Sequence, residues 1–119
     1  MQIGIIKERR LDEKRVAATP DTVKKFNAMG LNVNIEKGAG ITAAITAQEY
    51  EEAGAIILDS AQRVLENADI VLMAIPSMSF REVLRKLLPL SKPMTPIISL
   101  TKGLEQKSNL TMTQVIASE

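Results

Sequence analysis

The sequence has no cysteine, no histidine and no tryptophan, and aromatic residues make up only 3% of it. Without cysteine there is no disulfide, and without cysteine and histidine there is no zinc site of the usual kind. No histidine is available as a general base, so chemistry falls to Lys, Arg, Asp, Glu, Ser, Thr or the single tyrosine, Tyr50. Charge of one sign is also lacking. Fifteen basic residues meet fourteen acidic ones, for a net charge of +1. Lys7, Arg9 and Arg10 cluster, but Glu8, Asp12 and Glu13 dilute them, so no electrostatic footprint for nucleic acid is expected. No apolar run reaches membrane-spanning length, and no basic leader precedes a long apolar stretch. A cytoplasmic protein without membrane insertion, or the soluble part of a larger assembly, is the expectation. The dinucleotide fingerprint G-x-G-x-x-G is absent as well.

Hydrophobic residues make up 45% of the 119 residues. With so few aromatics, Ile, Leu, Val, Met and Ala must build the core. Length and composition fit one small domain, or part of a larger one. Residues 2–6 read as a first strand covered on both faces, with Gly4 inside it. Residues 7–14 are polar except Leu11 and read as a loop. Thr19-Pro20 opens a helix whose apolar stripe is Val23, Phe26 and Met29, stopped by Gly30. Residues 31–35 alternate strictly, which suits a strand near the sheet edge, with Asn32 and Asn34 on its wet face. Gly38-Ala39-Gly40 reads as a plain turn. Thr46 and Glu49 have capping-box spacing before Tyr50 and Ala53. A third strand, 55–58, leads to a helix with Ala61, Val64, Leu65 and Ala68 inward.

Residues 70–75 are the most strand-like run, ended by Pro76, after which Ser77 is expected to cap a helix. Phe80, Val83, Leu84, Leu87 and Leu88 form its apolar stripe, while Arg81, Glu82, Arg85 and Lys86 stay in water. A fifth strand, 97–100, and a last amphipathic segment, about 109–118, follow. The alternation predicts an α/β fold: a three-layer, Rossmann-like parallel sheet of about five strands with helices on both faces. Residues 1–119 form a single domain in this reading, and the stop near a helix end suggests part of a larger protein. In such sheets, ligands sit where a strand end meets a helix start, which points to residues 70–81.

Two resemblances meet in that stretch. Residues 1–72 carry I-G-I-I-K-E-R-R, E-K-R-V-A-A-T-P-D-T-V, G-L-N-V-N-I-E-K-G-A-G and A-D-I-V-L. These resemble the N-terminal domain of the alanine dehydrogenase and NAD(P) transhydrogenase alpha-subunit family, with the transhydrogenase branch the more similar. From Ala74 on, P-S-M-S-F-R-E-V-L, I-I-S-L-T-K-G-L-E and L-T-M-T-Q-V-I resemble the NAD-binding domain of bacterial glycerol-3-phosphate dehydrogenase. The family seam falls near 70–76.

The first resemblance implies that Arg15 holds a substrate carboxylate, a task that suits its planar fork. Met73 then occupies the place matched to that family's second substrate-contacting lysine. The second resemblance implies that Lys102 lies beside substrate, and that Pro76 and Ser77 lie near the nicotinamide end of a cofactor. Lys7 is expected to join Arg15 in an anion pocket at the end of the first strand. Each has a plain alternative: Arg15 as an exposed arginine, Lys102 as a turn residue before Gly103, Ser77 as a helix cap. Glu8 and Asp69 have no identifiable partner, and no metal site is expected.

The function these readings imply is a truncated or hybrid piece of a nicotinamide-nucleotide oxidoreductase, like the N-terminal part of the transhydrogenase alpha subunit, without a complete active site of its own. NAD or NADP is the cofactor of the parent families, with none bound by this chain as the open alternative. Beside this stand a fragment or subunit of an NAD-dependent glycerol-3-phosphate dehydrogenase, and a non-catalytic folded scaffold or chimera. The expected partner is a second copy or a second subunit that completes the site.

Overall fold

The computed structural model describes residues 1–10 and 13–119, so the readings of Leu11 and Asp12 lie outside the described residues. Strands and helices alternate along the chain: β1 (Gln2–Ile5), α1 (Pro20–Ala28), β2 (Asn32–Glu36), α2 (Ala47–Glu52), β3 (Ile56–Leu58), α3 (Ala61–Asn67), β4 (Ile70–Met73), α4 (Ser77–Leu87), β5 (Ile97–Ser99) and α5 (Met112–Ala117). The five strands form one parallel sheet in the order β3-β2-β1-β4-β5. The chain runs outward from β1 through β2 to β3, then crosses back to β4. β1 and β4 are therefore neighbours whose connections leave in opposite directions. That reversal opens a crevice at their C-terminal ends, where open α/β sheets place ligands.

Local chemistry explains the element boundaries. Thr19 accepts from the Thr22 N–H, and Pro20 starts α1 where a missing N–H costs nothing. Thr46 and Glu49 close a full capping box on α2. Ser60 caps α3 by accepting from the Arg63 N–H. Ser77, by contrast, is the first residue of α4 rather than its cap. Pro76 holds the cap position, with no side-chain hydrogen bond.

Two apolar layers sandwich the sheet. On one face Ile3, Ile5, Val33, Ile35 and Leu72 pack with Val23 of α1 and Tyr50 and Ala53 at α2. On the other, Val71 and Met73 pack with Val64 and Leu65 of α3, Phe80, Leu84 and Leu87 of α4, and Met112 and Val115 of α5. Each large buried side chain contributes about 2 kcal/mol of transfer free energy. Gly4 is a packing requirement, because a Cβ there would lie 2.9 Å from the Ala68 Cβ at the α3 end.

Several expectations need correction. β2 lies near the sheet edge, beside the edge strand β3, but it is less exposed than its alternation suggests: Asn32 is exposed, whereas Asn34 and Glu36 are buried. Alternation misleads at Asn34 because its polar side chain is enclosed by the layer above the sheet. Met29 lies at the C-cap of α1 and is exposed, not part of the core stripe. Leu88 has left α4 for a short 3₁₀ turn and is partly exposed. Arg81 is half-buried rather than wet, held by ion pairs described below. No helix among the described residues is long and apolar enough to cross a membrane.

Candidate functional site

A cleft of about 430 Å3 opens at the C-terminal ends of β1, β4 and β5. Three segments line it: Arg15–Ala17 from the connection between β1 and α1, Ala74–Pro76 beyond β4, and Leu100–Lys102 beyond β5. Val16, Ala17, Ala74, Ile75, Pro76 and Leu100 supply apolar walls, and Arg15 and Lys102 supply two cations. Arg15, Lys102 and Pro76 are far apart in sequence, and the fold brings them to one cleft. Thr101 ties two of its walls, because its Oγ1 donates to the Ile75 carbonyl at 2.5 Å.

Arg15 is not a free arginine. Its Nε donates to Glu13 Oε1 and its Nη2 to Glu13 Oε2, each at 2.7 Å. The Arg15 backbone N–H also donates to Oε1, at 2.9 Å. The guanidinium and this N–H pull the Glu13 carboxyl down to about 2, and the carboxylate in turn raises the arginine's affinity for its proton. Glu13 is buried while the Arg15 side chain remains largely exposed, so the pair presents its cationic end outward.

The other expected site residues lie differently. Ser77 does not line the cleft; its Oγ faces Gly103, where an added Cβ would sit 3.9 Å away. Lys7 does not join Arg15. Its side chain runs toward Gly38 on the β2 side, and it lines a separate pocket of about 140 Å3 with Glu8 and Arg9. Met73 is buried against α3 and α4, away from the cleft. Glu8 accepts the backbone N–H groups of Arg9 and Arg10 at 2.8 and 3.0 Å. Asp69 accepts the Gln2 N–H at 2.8 Å and faces Lys92 at 3.4 Å. The Gln2 N–H, more than Lys92, holds the Asp69 carboxyl below its ordinary range.

A dinucleotide does not fit the first-strand position of this fold. There the pyrophosphate needs a tight glycine turn between β1 and α1. Here residues 6–19 intervene, and Gly4 is spent on packing. The acidic residue at the end of the second strand, which would take a ribose, is Glu36. It is engaged by Arg9, at 2.6 and 3.2 Å, and by the Lys7 N–H at 2.8 Å. Sequence reasoning missed both Glu13 and Glu36. The signal for Glu13 was its spacing of two from Arg15; Glu36 gave none, because its partner arrives from the distant connection after β1.

A second hollow of about 450 Å3 runs between α4 and residues 105–107. Its charges are already matched. Arg81 donates to both Glu105 oxygens at 2.7 and 2.9 Å and also pairs with Glu119, which holds Arg85 as well. Among the described residues no group of three acidic, cysteine or histidine side chains is placed to hold a metal ion.

Residues 4–111 match the family described as alanine dehydrogenase/PNT, N-terminal domain. The chain belongs to this family. The matched range spans 70–76. Among relatives, the first portion of the NAD(P) transhydrogenase alpha subunit of Rhodospirillum rubrum is 46% identical over 71 residues, 60% of this chain and 18% of that protein. A glycerol-3-phosphate dehydrogenase [NAD(P)+] of Sphingopyxis alaskensis is 49% identical over 53 residues, 44% of this chain and 16% of that protein. Those two shares of the chain exceed its length together, so the matched stretches have residues in common. The solved transhydrogenase of Sinorhizobium meliloti superposes with a TM-score of 0.68 at 30% identity, covering 84% of this chain and 28% of that one. The chain thus spans under a fifth of the length of these curated relatives.

The cleft joins an arginine from the R-V-A-A-T-P segment to a lysine from the segment that resembles glycerol-3-phosphate dehydrogenase. Its floor is apolar and its rim cationic. Such a site can hold a small anion by its charged end and cover the rest from water.

Proposed function

We propose that the chain is the substrate-anion unit of an NAD(P)-linked oxidoreductase of the transhydrogenase alpha type, one that leaves the nucleotide to another domain or chain. The observation that carries this reading is that Arg15 and Lys102 line one cleft at the sheet's switch point. The free end of the Arg15 guanidinium takes the anionic group end-on, Lys102 supplies a second charge, and Ile75, Pro76 and Leu100 exclude water from the ligand's apolar side. Thr101 stays committed to the Ile75 carbonyl and so shapes the wall rather than donating to ligand. The nucleotide is assigned elsewhere because the β1–α1 connection lacks a glycine turn and Glu36 is already engaged. A partner unit fits the Rhodospirillum relative, which is named as one portion of a subunit.

The test is a pair of titrations on the purified chain. Acetate is expected to bind at millimolar levels and to lose binding in Arg15→Ala and Lys102→Ala. NADH and NADPH are expected not to bind. Micromolar binding of either nucleotide to the isolated chain would sink the division of labour. A second reading, a glycerol-3-phosphate dehydrogenase fragment, rests on Lys102 and the 53-residue similarity. It requires that glycerol-3-phosphate bind more tightly than acetate.

A further inference from the structure

Both cations of the cleft face the same space, yet they are not equivalent. No partner for Lys102 exists among the described residues, whereas the Nε and Nη2 of Arg15 are taken by Glu13. Nη1 has no hydrogen-bond partner among the described residues. Glu13 itself is enclosed, with a side-chain exposure of 10% against 74% for Arg15. A carboxylate held inside in this way cannot swing away from the arginine, and it also accepts the Arg15 backbone N–H. Among the described residues no acidic side chain lines the cleft to offset Lys102.

We propose that Glu13 is a specificity-determining residue: it fixes Arg15 by the Nε–Nη2 edge, cancels its charge, and so leaves a cleft that selects singly charged carboxylates over doubly charged anions. The proposal rests on the anion-cleft reading above and refines it. An end-on fork still donates two hydrogen bonds to one carboxylate. A dianion such as sulfate gains little, because only Lys102 remains uncompensated. Removing the Glu13 charge while keeping its shape returns the full arginine charge to the cleft.

The test titrates the full chain with acetate and with sulfate at constant ionic strength, following backbone amide shifts at residues 15–17 and 100–102. In Glu13→Gln, sulfate is expected to bind roughly tenfold more tightly, with acetate changing much less. Glu51→Gln, an exposed change of equal charge, is expected to leave the ratio alone. In parallel, the Arg15 Nε–H resonance is expected to be protected from exchange in the wild type and in Glu13→Asp, and lost in Glu13→Ala. Should Glu13→Gln fail to fold, Glu13→Asp keeps the test alive: retaining the charge, it should retain the wild-type ratio.

An unchanged sulfate-to-acetate ratio in Glu13→Gln, or a ratio raised in Glu13→Asp, overturns the role of Glu13. Binding that Arg15→Ala abolishes without any such selectivity overturns that role alone. Absence of any anion binding by the wild type overturns the cleft reading, and the selectivity with it.

Discussion

The Tyr50 hydroxyl donates to the Ala18 carbonyl across 2.8 Å, with both residues buried. This bond ties α2 to the stretch that carries Arg15, Val16 and Ala17 into the cleft. Tyr50 is the chain's one tyrosine, and its ring is fully enclosed beside the turn that follows β2.

Tyr50→Phe keeps the ring but leaves the Ala18 carbonyl without its donor, which is expected to cost about 1–2 kcal/mol in a urea unfolding curve. The wild-type phenol is pushed up to about 12, first by burial and then by the Glu49 charge. Its neutral form is therefore favoured in the folded state. The stability this supplies is complete below the ordinary value of 10.0 and is lost as pH rises through about 12. Absorbance of the ionised phenol should accordingly appear only near that higher value while the protein stays folded.

Gly40 lies against the same ring. A Cβ there would fall 2.7 Å from Tyr50 Cε2 and 2.7 Å from the Ile45 carbonyl oxygen. Gly40→Ala is expected to destabilise by about 1–3 kcal/mol, as overpacking does. The near-ultraviolet signal of Tyr50 should change with it. An unaltered signal with full stability would mean that the turn at 38–40 is looser than its packing shows.

Acid should act through two carboxylates on separate connections of the fold. Glu13 and Glu105 are each lowered from 4.5 to about 2, the first chiefly by the Arg15 side chain and the second by the Arg81 side chain. Lowered carboxyl values mean that the folded state prefers the charged forms. The stability they supply is complete above the ordinary value and is lost as pH falls from there through about 2. The urea midpoint should be steady near neutrality and fall across that window. Glu105→Gln should flatten the fall, since its contribution is removed at every pH.

Much of this architecture was legible in the residues. Val64, Leu65, Phe80 and Leu84 announce their burial through helical spacing, and Thr19 and Thr46 announce the starts of their helices. The union of Arg15, Pro76 and Lys102 follows from the switch-point rule once the strand order is known. The failures share a cause. Asn34 looks like the wet side of a strand because alternation reports polarity, not enclosure, and Glu36 goes unnoticed because the Arg9 that meets it comes from the connection after β1. Arg81 looks solvated on its own helix because Glu105 and Glu119 are distant in sequence. Nearness to the strand end directs Lys7 to the cleft on paper, whereas its long side chain leaves toward Gly38.

Position 73 gives the sharpest separation between sequence matching and geometry. The resemblance matches Met73 to a substrate-contacting lysine, yet Met73 points into the layer formed by α3 and α4 and is 1% exposed. An ammonium there would be removed from water and set among the apolar side chains of that cluster. Met73→Lys is therefore expected to lower stability by about 3–5 kcal/mol and to leave anion binding no stronger. Ala74, the residue directly beyond the same strand, lines the cleft and is only half-buried. In Ala74→Lys the ammonium can extend into the cleft and keep its head in water. That variant is expected to remain folded by circular dichroism and to bind acetate several-fold more tightly than the wild type. If Met73→Lys instead folded normally and strengthened acetate binding, the side chain at 73 would have to reach the cleft, contrary to its packing against α3 and α4.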